Sequence, residues 1–430
     1  MEPERSPAVV FAPQPDPLAS IVVSGWKSAP CLEGCLRSIA GHVRDVAYEV
    51  IVSLSIPDPE IVEMLETRVR GARVLAWPAN VGFAGTCNRA ESVARGEYVV
   101  LLNDDAEVEE RWLETLVEAA DEHPEAGAVG SRVLLADGTM QENGVVIWSD
   151  GSVTFVGHGE PPAGGTVPQG VTRVDYCSGV SLLVRRSAWK SVGGMDEGYY
   201  PAYYEDVDLC LKLEADGMDV LVQPASVVVH HGSTSPLRYR EFLGNRNRRR
   251  LVARWSSLLE SRPAPRPGDP EAIARAFRSA ARRERAGGRV PGLADERTGP
   301  EQDVTGVFDR KEREIKDEYI AEMEGAFDLL EREVEELRGA RAEFERQREQ
   351  HAGLAAEIES LRSSRDDARC ELEAVRSRAG YRIVDKVHSV LRRVPGVFHV
   401  VRWLLRTIQR PPRSKLDREG GRARVPTPSE

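Results

Sequence analysis

The 430-residue chain predicts an α/β domain, a mostly parallel sheet flanked by helices, continued by a long helical arm. Three observations point there. Between residues 20 and 123, apolar runs of strand length alternate with stretches whose apolar residues recur at helical spacing. That alternation is the texture of a sheet covered on both faces. One such run stops abruptly on Asn103-Asp104-Asp105, polar side chains at the carboxyl end of a strand, where ligands sit in sheets of this kind. Residues 306–379 hold no proline and place apolar residues at steps of three and four, a heptad texture.

Taken in order, 20–24 reads as a buried strand and 31–39 as a helix with Leu32, Cys35, Leu36 and Ile39 on one face. A strand at 48–53, a helix at 59–70, a strand at 74–76 and a helix at 86–95 follow. The fourth strand is expected at 97–102, before a helix at 110–123. Beyond 130 the strands shorten and turn signals appear (Asp137-Gly138, Asp150-Gly151), then a Pro/Gly-rich stretch at 157–170. Strong strands are expected at 176–185 and 219–229, around a helix near 207–215. After Trp255 the folded signal fades, and the Pro, Arg, Gly and Ala of 261–300 read as linker. The expected organisation is a disordered 1–17, a folded α/β domain at 18–260, a flexible linker at 261–304 and a coiled coil at 305–380. Basic amphipathic helices at 381–415 and a disordered 416–430 complete it.

Charge is distributed unevenly. The whole chain has 58 basic and 69 acidic residues, net −11, but residues 18–231 hold 15 and 32, net −17. Residues 232–430 hold 42 and 34, net +8. An acidic front half excludes nucleic acid as a partner there and suits a site that gathers divalent cations. The heptads imply homo-oligomerisation through a dimeric or trimeric coiled coil. Residues 381–415 carry nine basic residues and one acid; this basic amphipathic pair either lies on an anionic membrane surface or docks on another subunit. No run approaches the ~18 apolar residues of a spanning helix, and residues 1–17 lack a signal-peptide pattern. The six cysteines are sparse; Cys31 and Cys35 stand one helical turn apart with no second pair to complete a zinc site. Reduced thiols and a cytoplasmic location, peripheral at the inner face of the plasma membrane, are the expectation.

Three acidic or histidine blocks carry candidate chemistry. Asn103-Asp104-Asp105 offers oxygen ligands to a hard cation, although acids after strands also cap helices. Glu205-Asp206-Val207-Asp208 opens a helix, where acids also complement the dipole. His230-His231 closes an apolar strand. In this order on this sheet pattern, the blocks resemble the family 2 glycosyltransferases, which use the GT-A type of nucleotide-sugar-binding fold. The resemblance covers about 20–255. It rests on Asn80-Val-Gly-Phe-Ala-Gly85 with Asn88-Arg89, on the run from Gly96 to Asp105, and on Val129-Gly-Ser-Arg-Val-Leu-Leu-Ala-Asp-Gly138. Ser178-Gly179 before Leu182-Leu-Val-Arg-Arg186, Gly193-Gly-Met-Asp-Glu197, Glu205-Asp-Val-Asp-Leu209 and His230-His231-Gly232 complete it. The chain looks most like the bacterial branch that builds surface polysaccharides, often with rhamnose.

The resemblance implies roles. Asp105 and His230 would hold Mn²⁺ or Mg²⁺, with His231 the second choice; Asn103 would approach the ribose, beside Asp104. Asp206 would be the general base of a single inverting displacement, with Glu205 and Asp208 supporting base or acceptor and Ser178 and Gly179 at the acceptor. Asn80, Gly82 and Gly85 form a loop before a helix N-terminus, a setting that favours a diphosphate, with Asn88 and Arg89 nearby. Two departures stand out. No Asp-Asn pair follows the second strand, so Ser53 or backbone would contact the base, and UDP versus dTDP stays open. The first strand ends Ser24-Gly25-Trp26 in place of Thr-Tyr-Asn, with Trp26 stacking on the base or covering the sheet edge. The expected activity is metal-dependent transfer from a nucleotide-diphosphate sugar to a glycan or lipid-linked glycan acceptor. The rival is a non-catalytic scaffold of the same fold. A glycoside hydrolase, which needs two facing carboxylates and no nucleotide, leaves the histidine and the glycine loop without purpose.

Overall fold

The computed structural model describes residues 9–26, 28–162, 168–232, 237–266, 268–283, 305–345, 360–361 and 363–369. The chain divides into two units, Met1–Ile315 and Lys316–Glu430. The first unit opens with β1 (Val9–Val10), β2 (Ala19–Gly25), α1 (Ala29–His42), β3 (Tyr48–Ser55), α2 (Pro59–Arg68), β4 (Val69–Arg70) and β5 (Arg73–Trp77). Next come α3 (Gly82–Val93), β6 (Tyr98–Asn103), β7 (Ala106–Val108), α4 (Trp112–Glu122), β8 (Ala126–Leu135), β9 (Met140–Glu142), β10 (Val145–Ile147) and β11 (Val153–Phe155). It continues through β12 (Thr172–Val174), β13 (Ser181–Arg185), α5 (Arg186–Ser191), α6 (Glu205–Ala215), β14 (Asp219–His230), α7 (Leu237–Leu259) and α8 (Pro270–Arg282). A last helix, α9 (Thr305–Glu345), begins in this unit; in the second unit its continuation and the helical residues 360–361 and 363–369 are described.

The main sheet runs β12-β14-β8-β13-β6-β2-β3-β5, with β7 on β14 and β9 on β8. Strands β6, β2, β3 and β5 are parallel. β13 lies antiparallel to both β6 and β8, and β14 returns parallel to β8. The sheet is therefore mixed, where the sequence predicts a mostly parallel one, because β13 starts beside the end of β6, with Ser181 opposite Leu102. Between Gln223, opposite Ser131, and Val227, opposite Arg132, the residues Pro224, Ala225 and Ser226 bulge out of β14.

Alternation along the central strands feeds two apolar layers. Ile21, Val23, Val50, Val52, Val100 and Leu102 pack with Leu36, Ile61 and Trp112 on one face. Val22, Ile51, Val99 and Leu101 pack with Ala90, Trp189 and Leu209 on the other. Helix starts follow local chemistry: Ser28 Oγ accepts the N–H of Cys31 to cap α1, and Asp58 accepts that of Glu60 to cap α2, each with a proline in the first turn.

Several boundaries differ from expectation. The expected disorder of 1–17 ends at Val9, since β1 pairs with β4 and Phe11, 4% exposed, gives its N–H to Arg70. That pairing ends α2 at Arg68 instead of 70. The strand read at 176–185 starts only at Ser181, which leaves Cys177, Ser178 and Gly179 in a loop. The linker read from 261 instead contains α8, capped by Asp269 and burying Ala276 and Phe277. Arg262 and Arg283 flank it and pair with Asp175 and Glu214 at 2.5 to 3.1 Å. The folded unit therefore continues past 260; arginine and alanine hid an amphipathic helix whose apolar stripe is short. Of the coiled coil read at 305–380, a helix is described over Thr305–Glu345. Residues 1–8, the linker's 284–304, the basic pair at 381–415 and the tail at 416–430 lie outside the described residues. Among the described residues no helix is long and apolar enough to cross a membrane, and the five cysteines are free.

Candidate active site

β6 ends on Asn103, and the chain turns through Asp104 and Asp105 into β7. β7 pairs with the end of β14, Ala106 opposite His230, and the N–H of His231 donates to the carbonyl of Asp105 at 2.9 Å. This register sets Asp105 Oδ1 3.1 Å from His230 Nε2. The other ring nitrogen, Nδ1, stands 2.7 Å from Gln141 Oε1 on β9. With Nδ1–H donating to Gln141, Nε2 and Asp105 Oδ1 stand side by side as a nitrogen and an oxygen that would together hold a cation. The donor set, one carboxylate and one imidazole, fits Mn²⁺ or Mg²⁺, with Mn²⁺ favoured by the nitrogen. Among the described residues no group of three or more His, Cys, Asp and Glu converges on a metal position, so the protein itself offers this pair. His231 turns instead to Glu107 at 3.2 Å, 42% and 50% exposed. Asp104 Oδ2 accepts the N–H of Trp26 at 2.8 Å. Burial, with the charge of Asp105 adding, pushes the Asp104 carboxyl up to about 7.

The acid read as the base sits at the head of α6, after Tyr203 and Tyr204, both left-handed (φ 78° and 75°). Asp206 Oδ2 accepts the N–H of Gly179 at 3.0 Å, and Oδ1 that of Val207 at 2.8 Å. Its carboxyl is raised from its ordinary value, chiefly by burial. Next to Gly179, Ser178 donates its N–H and its hydroxyl to Glu142 Oε1 at 3.0 and 2.9 Å. Glu142 is fully buried, and among the described residues its Oε2 has no hydrogen-bond partner. Burial, with Asp206 and against the two Ser178 bonds, pushes it up to about 7. Glu205 is buried too, its Oε2 without a hydrogen-bond partner among the described residues and its carboxyl raised well above the usual range by burial and the charge of Asp206. Gln141 and Glu142 were not among the residues read from the sequence. Their only signal is a polar triplet with Asn143 between Met140 and the apolar 145–147.

Other expected site residues turn elsewhere. Asp208, read as an acceptor contact, is wholly buried. Its Oδ1 accepts from Trp255 Nε1 at 2.8 Å and Tyr199 OH at 3.2 Å, and Lys212 Nζ stands 3.4 Å from Oδ2. Two residues along a helix rotate a side chain by roughly 200°, so Asp208 faces the core where Asp206 faces the loop. Asn88 and Arg89, read beside the donor, hold another segment: Asn88 exchanges bonds of 2.9 and 3.0 Å with the backbone of Met195. Arg89 pairs with Glu197 at 3.1 Å, both side chains 3% exposed. Ser53, read as a base contact, is buried, donating to the carbonyl of Thr86 at 3.1 Å and accepting from Trp77 Nε1 at 3.2 Å.

The remaining donor residues do meet. Ser24, one residue before the end of β2, lies opposite Asn103, with its Oγ 2.9 Å from Thr86 Oγ1, and Trp26 is tied to Asp104. Asn80 Oδ1 accepts the N–H of Gly82 at 3.0 Å. Gly82 is left-handed (φ 72°), and a Cβ there would lie 2.8 Å from the carbonyl oxygen of Pro201. That carbonyl takes the N–H of Phe83 at 2.8 Å. Gly85 lies under Arg89, where a Cβ would come 2.9 Å from Nη1. The glycine loop thus braces the segment that leads into Asp206.

Residues 20–149 match the family model described as glycosyl transferase family 2. An uncharacterized protein, y4gI of Sinorhizobium fredii, is 31% identical over 230 residues, 51% of this chain and 25% of that protein. The O-antigen biosynthesis protein RfbC of Myxococcus xanthus is 33% identical over 229 residues, 51% of this chain and 18% of RfbC. The N-acetylglucosaminyl-diphospho-decaprenol L-rhamnosyltransferase of Mycobacterium tuberculosis is 29% identical over 242 residues, 50% of this chain and 76% of that enzyme. The chain spans a quarter or less of the first two relatives. The family that the ordered motifs resemble is therefore the one whose model residues 20–149 match, on a GT-A-like mixed sheet.

Proposed function

We propose that the protein is a metal-dependent, inverting glycosyltransferase that moves a sugar from a UDP- or dTDP-linked donor to a hydroxyl of a glycan or lipid-linked glycan. The observation that carries this reading is the approach of Asp105 to His230 at 3.1 Å, at the strand ends where Ser24 and Asn103 also meet. Mn²⁺ or Mg²⁺ held by these two side chains supplies Lewis-acid charge for the diphosphate of the leaving nucleotide. Gln141 orients the imidazole by its Nδ1. Asp206, aimed by Gly179 and raised by burial, takes the proton from the acceptor hydroxyl as its oxygen attacks the anomeric carbon. The bond from that carbon to the nucleotide oxygen breaks in the same displacement. One carboxylate suffices: the Glu205 carboxyl is raised well above its ordinary value by burial and the charge of Asp206, and Asp208 is sequestered with Lys212.

The relatives named for O-antigen and rhamnosyl transfer support a role in surface-polysaccharide synthesis. The heptads of 305–380 support assembly with further copies, and the basic residues of 381–415 support placement at the inner face of the plasma membrane. One observation favours the rival scaffold reading: Ser53 is engaged by Trp77 and Thr86, so its hydroxyl is not turned to a base.

A donor screen by nucleotide release, paired with Asp206→Asn, tests the proposal. The parent should transfer sugar with Mn²⁺ present. The variant should lose roughly 10²- to 10⁴-fold in rate while binding nucleotide as before. Undiminished transfer by Asp206→Asn would remove the assigned base, and absence of metal-dependent nucleotide binding would favour the scaffold.

A further inference from the structure

Asn247 lies on α7, forty-one residues beyond Asp206, within an arginine-rich stretch that no sequence motif singles out. Its side chain is completely buried. The amide Nδ2 donates to three backbone carbonyls of a single loop, those of Tyr199 at 2.9 Å, Ala202 at 3.0 Å and Tyr203 at 2.9 Å. Its Oδ1 accepts from Arg246 Nη1 at 3.1 Å. This loop contains the two consecutive left-handed tyrosines, Tyr203 and Tyr204, and runs directly into Glu205 and Asp206. Left-handed backbone is strained for residues with a Cβ and persists only where its surroundings fix it.

The same helix fixes both flanks of the loop. Before it, Arg250 and Arg254 pair with Asp196 at 3.2 and 2.7 Å. After it, Trp255 Nε1 donates to Asp208 at 2.8 Å. Asn247 is the fastening between these flanks and meets three carbonyls of a half-buried loop. A carboxylate that must meet an acceptor hydroxyl tolerates little displacement.

We propose that Asn247 is a positioning residue for Asp206: it holds the 199–204 loop in its strained course, so that α6 begins with Asp206 against Gly179. This inference rests on the glycosyltransferase reading. It assigns to α7, outside every recognised motif, control over the geometry of the base. Asp105, in the turn after β6, and His230, at the end of β14, belong to other elements, and the donor loop's internal bond from Gly82 to Asn80 is separate from Asn247, while the Phe83 N–H meets the held loop at the Pro201 carbonyl.

The experiment compares the full-length parent with Asn247→Asp, which keeps the shape and replaces donors by acceptors, and with the milder Asn247→Ser. Two readouts are taken. Calorimetry with UDP or dTDP and Mn²⁺ alongside steady-state transfer separates nucleotide affinity from kcat. Chymotrypsin digestion followed by mass spectrometry reports cleavage after Tyr203 and Tyr204, independent of activity. Asn247→Asp is expected to lose tenfold or more in kcat with nucleotide affinity within twofold. Cleavage at the two tyrosines should accelerate at least tenfold and no other site should open, with Asn247→Ser intermediate in both. Parental kcat with a protected loop would overturn the proposal. So would lost nucleotide binding with cleavage throughout the chain in both variants, which marks a purely structural residue. If the parent transfers no sugar from any donor, the glycosyltransferase reading fails, and the digestion alone still decides whether Asn247 holds the loop.

Discussion

Gly179 gives its backbone N–H to Asp206 Oδ2 at 3.0 Å, while its neighbour Ser178 gives two hydrogen bonds to the buried Glu142. One dipeptide thereby fixes two acids that share a low-dielectric pocket, and each is displaced from its ordinary titration range by that burial.

For Asp206 the consequence is a pH-dependent rate. A base works only when ionised, and its pKa is raised. Transfer should therefore climb with pH through that raised value with unit slope in log kcat/KM, then level off. A rate profile between pH 4.5 and 8 with saturating Mn²⁺ checks this; a rate that stays flat or declines as pH rises through the acidic range would contradict the assignment.

For Glu142 the consequence is a pH-dependent stability. Its pKa moves from 4.5 in the unfolded chain to about 7 in the fold, so the folded state prefers the neutral acid. The contribution of the group is complete below pH 4.5, declines as pH rises, and is gone above 7. Glu142→Gln should gain stability relative to the parent as pH rises from 5 to 8, by on the order of 3 kcal/mol. Urea titrations of metal-free protein at both pH values measure the difference.

Gln141 is the partner of the proposed metal-binding imidazole. Losing such a partner typically costs 10- to 100-fold in metal affinity. Gln141→Leu should weaken Mn²⁺ binding by about that factor, and His231→Gln, which touches Glu107 instead, should leave it within about twofold of the parent. Calorimetric titration of Mn²⁺ in the presence of UDP compares them.

Asp208 belongs to the core, with Lys212 and Trp255. Asp208→Ala leaves a buried ammonium unpaired and should destabilise the fold by about 3–5 kcal/mol, seen as a lower urea midpoint. A residue that only contacted acceptor would leave the midpoint unchanged.

What could be read from the sequence follows from the range of the forces involved. Ile21, Val22 and Val23 announce a strand buried on both faces because each sits on a short, continuous apolar run. Asp105 and His230 are legible because each ends such a run and therefore lies at a sheet margin. Gln141 and Glu142 are not, since their partners His230 and Ser178 are 89 and 36 residues away and meet them only through strand register. Asn88 and Arg89 show the limit of motif position: the glycine loop nearby was found, but the helical turn sends these two side chains to Met195 and Glu197. The helix α8 escaped notice because Arg262 and Arg283 bring its flanks to Asp175 and Glu214 by pairings that local composition does not reveal.

The bulge at Pro224, Ala225 and Ser226 acquires a meaning from the end of its strand. Three residues on β14 are skipped between one β8 partner and the next, and this offset decides which residue of β14 arrives opposite Ala106. An offset shorter by one would deliver Val229 there and carry His230 past Asp105 and Gln141. The bulge is thus a phase adjuster for the metal pair, about four residues upstream of it in sequence. Its polar anchors, Ser226 on the carbonyl of Trp112 at 3.0 Å and on Ser131 at 2.8 Å, tune a distant coordination geometry by counting residues, without touching the ion.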